Sequence, residues 1–434
     1  MNAIHTGTGS LVEERPVGEE QKKNKAFGPP KVRNFQLLFG GQTISVLGDA
    51  LYVVALPWLI LTTGGSTEEL GLVLAAYGIP RALSMLLGGW LSDRLRPRRV
   101  MLIADVARLL LVGLLAMLAL GGHPPLWQLC ALAVPLGAFG GAFLPASQAI
   151  VPEMLSPDDL QAGNGLMQAS RQGANLIGAA GAGVVVAAVS AGVALAIDAF
   201  TFLLSAFSLA LMRPTSRATP GMGKQTVRQE QEAASMQEPA EQISLWRYLR
   251  TSRLFQVTLL MFSMIGLVSG GLIEVALPAL VRGPLHGNAS AFGLILAAWG
   301  AGALIGALVA GALGKRPHKG LIMLLAGLLM GALIALLPIW DIAFAVVCML
   351  LAGIAGGIVN VVLFTAIQRA IPSHLMGRVM GLLLFGSFGV YPFSVALAGV
   401  LSDHLGPASF FPVSGLLLVL AMLCGLMQRV LRAI

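Results

Sequence analysis

The sequence predicts an all-α membrane protein with twelve transmembrane helices in two pseudo-symmetric six-helix bundles. The composition, the apolar runs and the placement of the basic residues predict this fold class. Of the 434 residues, 56% are apolar and only 11% are charged, and the mean hydropathy is +0.82. Soluble domains carry about 25% charged residues. With so little polar surface, the chain is predicted to lie in lipid over most of its length.

Twelve apolar runs each reach the length of about 20 residues that a membrane helix needs. The chain also contains 53 glycines, and small residues allow helices to pack closely in a membrane. The predicted spans are 35–62, 70–92, 99–120, 126–150, 162–188, 192–212, 254–280, 290–313, 319–339, 342–368, 376–402 and 408–430.

The basic residues predict the topology. With the N-terminus in the cytoplasm, 24 of the 28 Lys and Arg residues fall in the tail, the linker and the inner loops, and only Arg282 falls outside. The other three, Arg81, Arg108 and Arg171, lie within spans. Short cytoplasmic loops collect Lys and Arg. Both termini are therefore predicted to be cytoplasmic, and the net charge of +8 needs no nucleic-acid partner.

Two polar segments divide the chain. Residues 1–34 lack the apolar core of a secretory signal and are predicted to form a disordered cytoplasmic tail. Residues 213–253 are rich in Gln, Glu, Ser, Lys and Arg, a composition that cannot bury a core. They are predicted to be a cytoplasmic linker between an N-terminal bundle, 35–212, and a C-terminal bundle, 254–430.

A weak internal repeat supports a duplication. Two segments, "LPASQAIVPEML" and "FTAIQRAIPSHL", align at a constant offset of 220 residues. Chance similarity between two helix ends is the alternative, but the central linker and the six-plus-six count favour duplication. Two pseudo-symmetric halves around a midplane cavity are typical of secondary transporters. The matching positions are Gln148 with Gln368, Pro152 with Pro372, and Gly137 with Gly357.

The stretch "GGWLSDRLRPRRV" at 88–100 closes the second span and continues into the loop after it. With it the chain resembles the major facilitator superfamily, whose loop between the second and third helices reads G-x-x-x-D-R/K-x-G-R-K/R. Gly89, Asp93, Arg94 and Arg98 stand at matching places, whereas Arg96 replaces the second glycine. The resemblance implies that Asp93 latches the outward-facing state. The alternative is a loop that only anchors the chain and caps the third helix.

Further stretches are similar to the macrolide-efflux and siderophore-export group of that superfamily. They include "SVLGDALYVVALPWLI" and "AIDAFTFLLSA". A second family motif, which marks drug/proton antiporters, ends in G-P-x-x-G-G. The chain matches it only weakly, because Gly178 and Gly183 are present but Ala179 replaces the proline.

Four ionisable residues at bilayer depth are candidates for coupling or for lining a cavity: Asp49, Arg81, Arg171 and Glu274. Such a residue costs about 2.5–3.5 kcal/mol on insertion scales and therefore usually faces a cavity or a partner. Asp49 and Arg81 are expected to pair, and a purely structural ion pair is the alternative. Glu274 corresponds to Asp49 in the second half and is preferred as the proton carrier, the alternative being a water-facing helix end. Arg171 is expected to meet an acidic partner or an anionic substrate.

Three further ionisable residues are expected to have local roles. Asp105 and Arg108 are three residues apart, so they are predicted to pair on one helix. Asp198 is placed near the outer end of its span, where a rim or capping role is expected.

Five aromatic residues are candidates for the wall of a substrate cavity, although packing or an interface belt is the alternative for each. Aromatic faces suit a bulky amphipathic solute. The candidates are Trp58, Tyr77, Trp299, Phe388 and Tyr391.

These features predict a secondary active transporter that expels hydrophobic or amphipathic small molecules by alternating access, coupled to protons. The alternatives are an uptake symporter of a small metabolite and a non-transporting membrane sensor. All six histidines fall in loops, at helix ends or in the tail, and no G-x-x-x-x-G-K-[ST] stretch exists, so neither an enzyme nor an ATP-driven pump is predicted. No cofactor or metal is expected. The expected partners are a small-molecule substrate, protons and the lipid of a bacterial inner membrane, for a monomer.

Overall fold

A computed structural model describes residues 32–156, 159–213, 250, 252–312, 319–370, 382–383, 386 and 388–428. Within those ranges the regular structure is entirely helical. The N-terminal half contains α1 (Arg33–Thr62), α2 (Thr67–Leu95), α3 (Pro97–Gly121), α4 (Leu126–Ala149), α5 (Leu160–Ala188) and α6 (Ala191–Leu211), with a 3-10 turn at Val151–Glu153.

The C-terminal half begins with a span in three pieces, α7 (Arg253–Gly271), a π-helical turn (Leu272–Ala276) and α8 (Leu277–Arg282). Five further helices follow, and a 3-10 turn at Pro407–Ser409 precedes the last of them. They are α9 (Ala289–Ala312), α10 (Lys319–Leu336), α11 (Ile342–Ala370), α12 (Tyr391–Leu405) and α13 (Phe410–Leu426).

The helices follow the predicted spans closely, and each run that lies in the described part of the chain is helical. Nine helical segments there are long and apolar enough to cross a membrane. The remaining three spans correspond to α2 and α5, which carry polar side chains, and to α12. The run predicted at 376–402 is described at 382–383, at 386 and from 388 onward, and it is helical there except for a bend at 389–390. Most of the predicted tail and linker lies outside the described residues.

The two halves repeat one packing arrangement. In the N-terminal half α4 packs on α2, and in the C-terminal half α11 packs on α9. The repeat-related glycines lie at these two contacts: a side chain at Gly137 would collide with the carbonyl of Tyr77, and one at Gly357 with the carbonyl of Ala303. A hydrogen atom at each position therefore allows the same close approach in both halves. The repeat matches at Gln368 and Pro372 lie outside the described side chains.

The bundle has two faces, which we call the terminal face, where α1 begins and α13 ends, and the distal face, where α1 ends and α2 begins. The α2 helix starts at the distal face with a reciprocal cap: the Glu69 amide donates to Ser66 Oγ (3.1 Å), and the Ser66 amide donates to Glu69 Oε2 (3.2 Å). This capping box satisfies two amide donors that the first helical turn leaves without partners.

The halves meet near the distal face through two helix pairs. On α2 and α12, a side chain at Gly71 would meet the Val395 carbonyl at 2.7 Å, and Thr67 Oγ1 donates to Asp403 Oδ1 (3.3 Å). On α5 and α9, Gly183 and Gly293 approach each other so closely that neither position has room for a methyl group. Glycines thus bring the backbones of the two halves into direct contact at this face.

The loop between α2 and α3 contains the residue that replaces the expected glycine. Arg96 has φ 71°, a conformation that favours glycine, so the tight turn forms without it. Arg98, in the first turn of α3, donates from Nε to the Leu209 carbonyl and from Nη2 to the Ala210 carbonyl, both at 2.8 Å. It therefore caps the end of α6. The Gly89 and Asp93 side chains lie outside the described part of the structure, and the latch stays a prediction.

Arg96→Gly should stabilise the protein. A side chain held at positive φ costs of order 1–3 kcal/mol, and glycine removes most of that cost. A higher midpoint of thermal unfolding in detergent is expected. The matched control, Arg99→Gly, places glycine in the first turn of α3 and should lower the midpoint instead. Equal midpoints for Arg96→Gly and the wild type would show that the turn stores no strain.

Candidate functional site

All four membrane charges singled out in the sequence line one cavity of about 290 Å³. The carboxylates of Asp49 on α1 and Glu274 on the π-turn face it, together with the guanidinium groups of Arg81 on α2 and Arg171 on α5. Arg108 on α3 contributes a further cation. Helices of both halves therefore place charged groups around a common space, which we call the charged cavity.

Arg108 is the centre of a buried ion network. Its Nη2 hydrogen-bonds Asp49 Oδ1, and its Nη1 lies 3.9 Å from Asp105 Oδ1. Asp105 is fully buried, and its Oδ2 accepts a hydrogen bond from Ser205 Oγ (2.6 Å). The guanidinium also lies 4.0 Å from the ring centroid of Phe202. One arginine thus connects α1 and α3 and packs against α6.

The network corrects one expected pair and confirms another. Asp49 pairs with Arg108 rather than with Arg81, because α3 brings Arg108 to the carboxylate. The predicted local pair of Asp105 and Arg108 is present. The Asp49 side chain keeps 42% of its surface accessible, so its carboxylate faces the cavity even while paired.

The structure also corrects the role expected for Asp198, which is buried and does not lie at the rim. Only 1% of its surface is accessible, and its Oδ2 has no hydrogen-bond partner within the described structure. A side chain at Gly48 would collide with Asp198 Oδ1, so a glycine on α1 allows α6 to approach beside Asp49. A second carboxyl group therefore lies buried behind the charged cavity.

Arg81 lies between two of the predicted aromatic residues. Its guanidinium carbon is 5.5 Å from the ring centroid of Tyr77 and 6.0 Å from that of Phe388, distances typical of cation–π contacts. Among the described residues, neither Arg81 nor Arg171 has a carboxylate within ion-pair distance. The acidic partner expected for Arg171 is therefore not found there.

Glu274 lies on the π-helical turn of the seventh span. The turn closes with a bond from the Leu277 amide to the Leu272 carbonyl, one residue wider than in an α-helix. Glu274 Oε2 accepts a hydrogen bond from the Tyr391 hydroxyl at 2.5 Å. The Tyr391 ring is flanked by Gly78 of α2 and Gly270 of α7, where any side chain would approach it within 2.7 Å. Two glycines thus fix the ring that orients the carboxyl group.

A second cavity, of about 460 Å³, lies beside the first and has a different lining. Its wall is mostly apolar, and we call it the apolar cavity. The π-turn separates the two spaces, since Leu272 and Ile273 line the apolar cavity and Glu274 lines the charged one. The other apolar or aromatic residues of its wall include Phe262, Ile265, Val268, Trp299, Met330, Ile334, Met349 and Leu363.

The predicted aromatic residues have different places. Tyr77 lines the charged cavity, Trp299 lines the apolar cavity, and Tyr391 holds Glu274. Trp58 lines neither and packs against the hydrophobic core instead. It is nine residues beyond Asp49, about two and a half helical turns, so it points away from the cavity.

Several lining residues were not found from the sequence. Tyr52 lines the charged cavity with its ring centroid 6.3 Å from that of Tyr77. Gln168 and Gln172 of α5 and Asn360 of α11 line the apolar cavity. An amide side chain within an apolar run indicates a residue that lines a cavity, because a membrane helix carries few polar groups that face lipid.

The sequence pattern described as Major Facilitator Superfamily matches residues 38–394. The chain belongs to the major facilitator superfamily. Its twelve-span architecture and its resemblance to this family, both predicted from the sequence, are confirmed.

Two kinds of characterised superfamily members are similar over most of the chain. The multidrug efflux pump Tap of Mycobacterium bovis is 27% identical over 393 residues, which cover 88% of this chain and 89% of the pump. The enterobactin exporter EntS of Citrobacter koseri is 28% identical over 396 residues, 89% of each protein. These relatives are transporters, so this superfamily member is a multi-pass membrane transporter and not an enzyme.

Solved structures show the same fold at low identity. The crystal structure of a D-xylose–proton symporter is 14% identical with a TM-score of 0.67 and covers 91% of this chain and 95% of that one. The structure of a bacterial metal transporter is 16% identical with a TM-score of 0.65, over 92% and 98% of the two chains. At these identities the likeness concerns the superfamily fold alone.

Proposed function

We propose that this transporter expels hydrophobic or amphipathic small molecules from the cytoplasm across the bacterial inner membrane, in exchange for protons. The observation that carries the proposal is the pair of adjacent cavities divided by one π-turn. The apolar cavity suits the solute, and Glu274 in the charged cavity is the proposed carrier of the proton. Similarity to two exporters supports the outward direction.

The π-turn provides a physical connection between solute and proton. Ile273 faces the solute space, and the next residue, Glu274, faces the charged groups. A solute that displaces the Ile273 side chain rotates the turn and changes the surroundings of the carboxyl group. Single π-turns inside helices are frequent at functional sites.

The proposal places the terminal face in the cytoplasm. The one-sided distribution of Lys and Arg supports this orientation. Single cysteines at Thr63, in the loop after α1, and at Gln229, in the predicted linker, should label from opposite sides of inverted membrane vesicles. Labelling of both from the same side would contradict the orientation.

The conformation described is then the one open toward the cytoplasm. The halves touch at the distal face through α2 with α12 and α5 with α9, whereas exposed side chains of the apolar cavity lie toward the terminal ends of α5 and α11. Solute enters from the cytoplasm in this state and leaves when the distal contacts part.

Purified full-length protein in vesicles with an imposed pH gradient tests the function. Amphipathic solutes with neutral, cationic and anionic head groups are added in turn, and a trapped pH-sensitive dye reports proton movement. At least one solute should move protons down the gradient faster than in protein-free vesicles. If tritiated solutes cross the membrane at rates independent of the gradient, proton exchange is ruled out.

A cross-link at the distal face should stop transport. Thr67 Oγ1 and Asp403 Oδ1 are 3.3 Å apart, so the double variant Thr67→Cys/Asp403→Cys, with Cys130, Cys348 and Cys424 replaced by serine, should form a disulfide on oxidation. Alternating access requires this contact to open, so solute-induced proton movement should cease and return on reduction. The Thr67→Cys single variant is the control. Full transport by the oxidised protein would show that the two helices do not separate.

A further inference from the structure

Among the residues that the structure describes, the lining of the apolar cavity contains no charged side chain. Carbon surface dominates, and the polar groups are the amides of Gln168, Gln172 and Asn360 and the hydroxyl of Ser269. The volume of about 460 Å³ is within the range of roughly 300–1,000 Å³ that drug-sized ligands occupy. A ligand in this space meets hydrogen-bonding groups without meeting a countercharge.

The amides are available to a ligand. Gln168 and Gln172 are four residues apart on α5 and therefore face the same side of that helix. Both side chains and that of Asn360 are exposed to the cavity, and no described residue accepts a hydrogen bond from them or donates one to them. Because α11 belongs to the other half, a ligand that contacts all three amides bridges the two halves.

The neighbouring charges disfavour a cationic ligand. The Asp49 carboxylate is already paired with Arg108, and the Glu274 carboxyl group accepts a hydrogen bond from the Tyr391 hydroxyl. Arg81 and Arg171 add two cations in the adjacent cavity that have no carboxylate partner within the described structure. A cation in the apolar cavity would therefore lose its hydration and face positive charge.

An anionic ligand is disfavoured by desolvation. Arg81 and Arg171 line the charged cavity, and neither is among the described residues of the apolar cavity. A carboxylate placed among apolar groups and neutral amides has no cation to replace its water, and burial of an unpaired charge is costly. An uncharged polar group avoids this cost because each amide can donate and accept.

We propose that the ligand of the apolar cavity is an uncharged, mainly apolar molecule whose hydroxyl, carbonyl or amide groups hydrogen-bond to Gln168, Gln172 and Asn360. The inference deepens the proposed function and rests on it, since it names the class of solute. It separates two tasks: neutral amides select the solute, and the charged cavity handles the proton.

Four probes with the same apolar body test the selectivity. Tritiated 1-pyrenebutanol binds to immobilised full-length protein in a scintillation-proximity measurement, and unlabelled 1-butylpyrene, 1-pyrenebutyrate and 4-(1-pyrenyl)butyl-trimethylammonium compete. The alcohol should bind more tightly than butylpyrene, and both charged probes should need at least about tenfold higher concentrations than the alcohol.

Replacing the amides should abolish the advantage of the hydroxyl. In the triple variant Gln168→Leu/Gln172→Leu/Asn360→Leu, the affinity for the alcohol should fall about two- to tenfold, the range expected for one lost hydrogen bond. The affinity for butylpyrene should stay the same or rise, which also shows that the variant is folded. Gln128→Leu, an amide on α4 outside both cavities, is the matched control and should change neither affinity.

Each other outcome overturns the inference. Tightest binding by the trimethylammonium probe indicates a cation site. Tightest binding by pyrenebutyrate, with loss in Arg81→Gln or Arg171→Gln, indicates an anion site. Absence of saturable binding by the alcohol also contradicts the inference, because an apolar cavity of this size accommodates it. The measurement needs no gradient, so loss of proton-driven transport with intact binding counts against the proposed function alone.

Discussion

Glu274→Gln should abolish solute-driven proton movement and leave solute binding intact. The glutamine keeps the shape of the side chain and can still accept a hydrogen bond from the Tyr391 hydroxyl, but its amide does not ionise and therefore cannot take up and release the proton. In vesicles with an imposed pH gradient, the rate of proton movement after addition of the solute should fall to the rate in protein-free vesicles. Binding of 1-pyrenebutanol should match the wild type, because the apolar cavity does not include residue 274.

Three variants separate this prediction from a general loss of function. Glu68→Gln, at an exposed position in the first turn of α2, is the matched control and should transport normally. Asp49→Asn should slow transport without abolishing its coupling to protons, because the Asp49 carboxylate is ion-paired with Arg108. Tyr391→Phe keeps the ring between Gly78 and Gly270 and should retain part of the rate. Full gradient-driven transport by both Glu274→Gln and Asp49→Asn would disprove the coupling proposal.

Arg108→Gln should strongly destabilise the N-terminal half. Asp105 is fully buried, and its Oδ1 has no hydrogen-bond partner among the described residues, so the arginine is its nearest compensating charge. Removing one partner of a buried ion pair costs about 3–5 kcal/mol. Thermal unfolding in detergent, followed by far-ultraviolet circular dichroism, should show a lower midpoint.

The double variant Asp105→Asn/Arg108→Gln should recover part of the loss, because it no longer buries an unpaired carboxylate. Arg282→Gln, at an exposed arginine of α8, is the matched control and should unfold like the wild type. If Arg108→Gln unfolds at the wild-type temperature, the network does not contribute to the packing of α1, α3 and α6.

The helices were predictable because lipid imposes one constraint on every span. An apolar run of sufficient length has to become a helix, since only a helix satisfies its own backbone in lipid. Charged residues in a span avoid lipid, because burying a charge there is costly. This is why Asp49, Arg81, Arg171 and Glu274 could be expected to face a cavity or a partner. Depth along a helix and the sign of a charge can both be read from the sequence.

The partners of those charges could not be predicted in the same way. Depth estimates put Asp49 and Arg81 at similar heights, but they do not say which helices are neighbours, and α3 rather than α2 provides the arginine. Trp58 packs against the core because it lies on the opposite side of α1 from Asp49, and depth alone does not give the direction of a side chain around the helix axis. The π-turn at Leu272–Ala276 could not be predicted either, because an apolar run indicates a helix without distinguishing a π-turn from an α-helical one.

Glu274 and Tyr391 belong to one half of the protein, and Arg81 belongs to the other. If the halves rotate against each other, as the proposed alternating access requires, the hydrogen-bonded pair moves as a unit while the guanidinium stays with α2. Coulomb energy varies inversely with distance, so the rotation alone alters the electrostatic potential at the carboxyl group. In the proposed proton exchange, Arg81 would thereby make the choice between proton uptake and release depend on the angle between the two halves. Lipids that restrict this angle would slow turnover without touching either cavity.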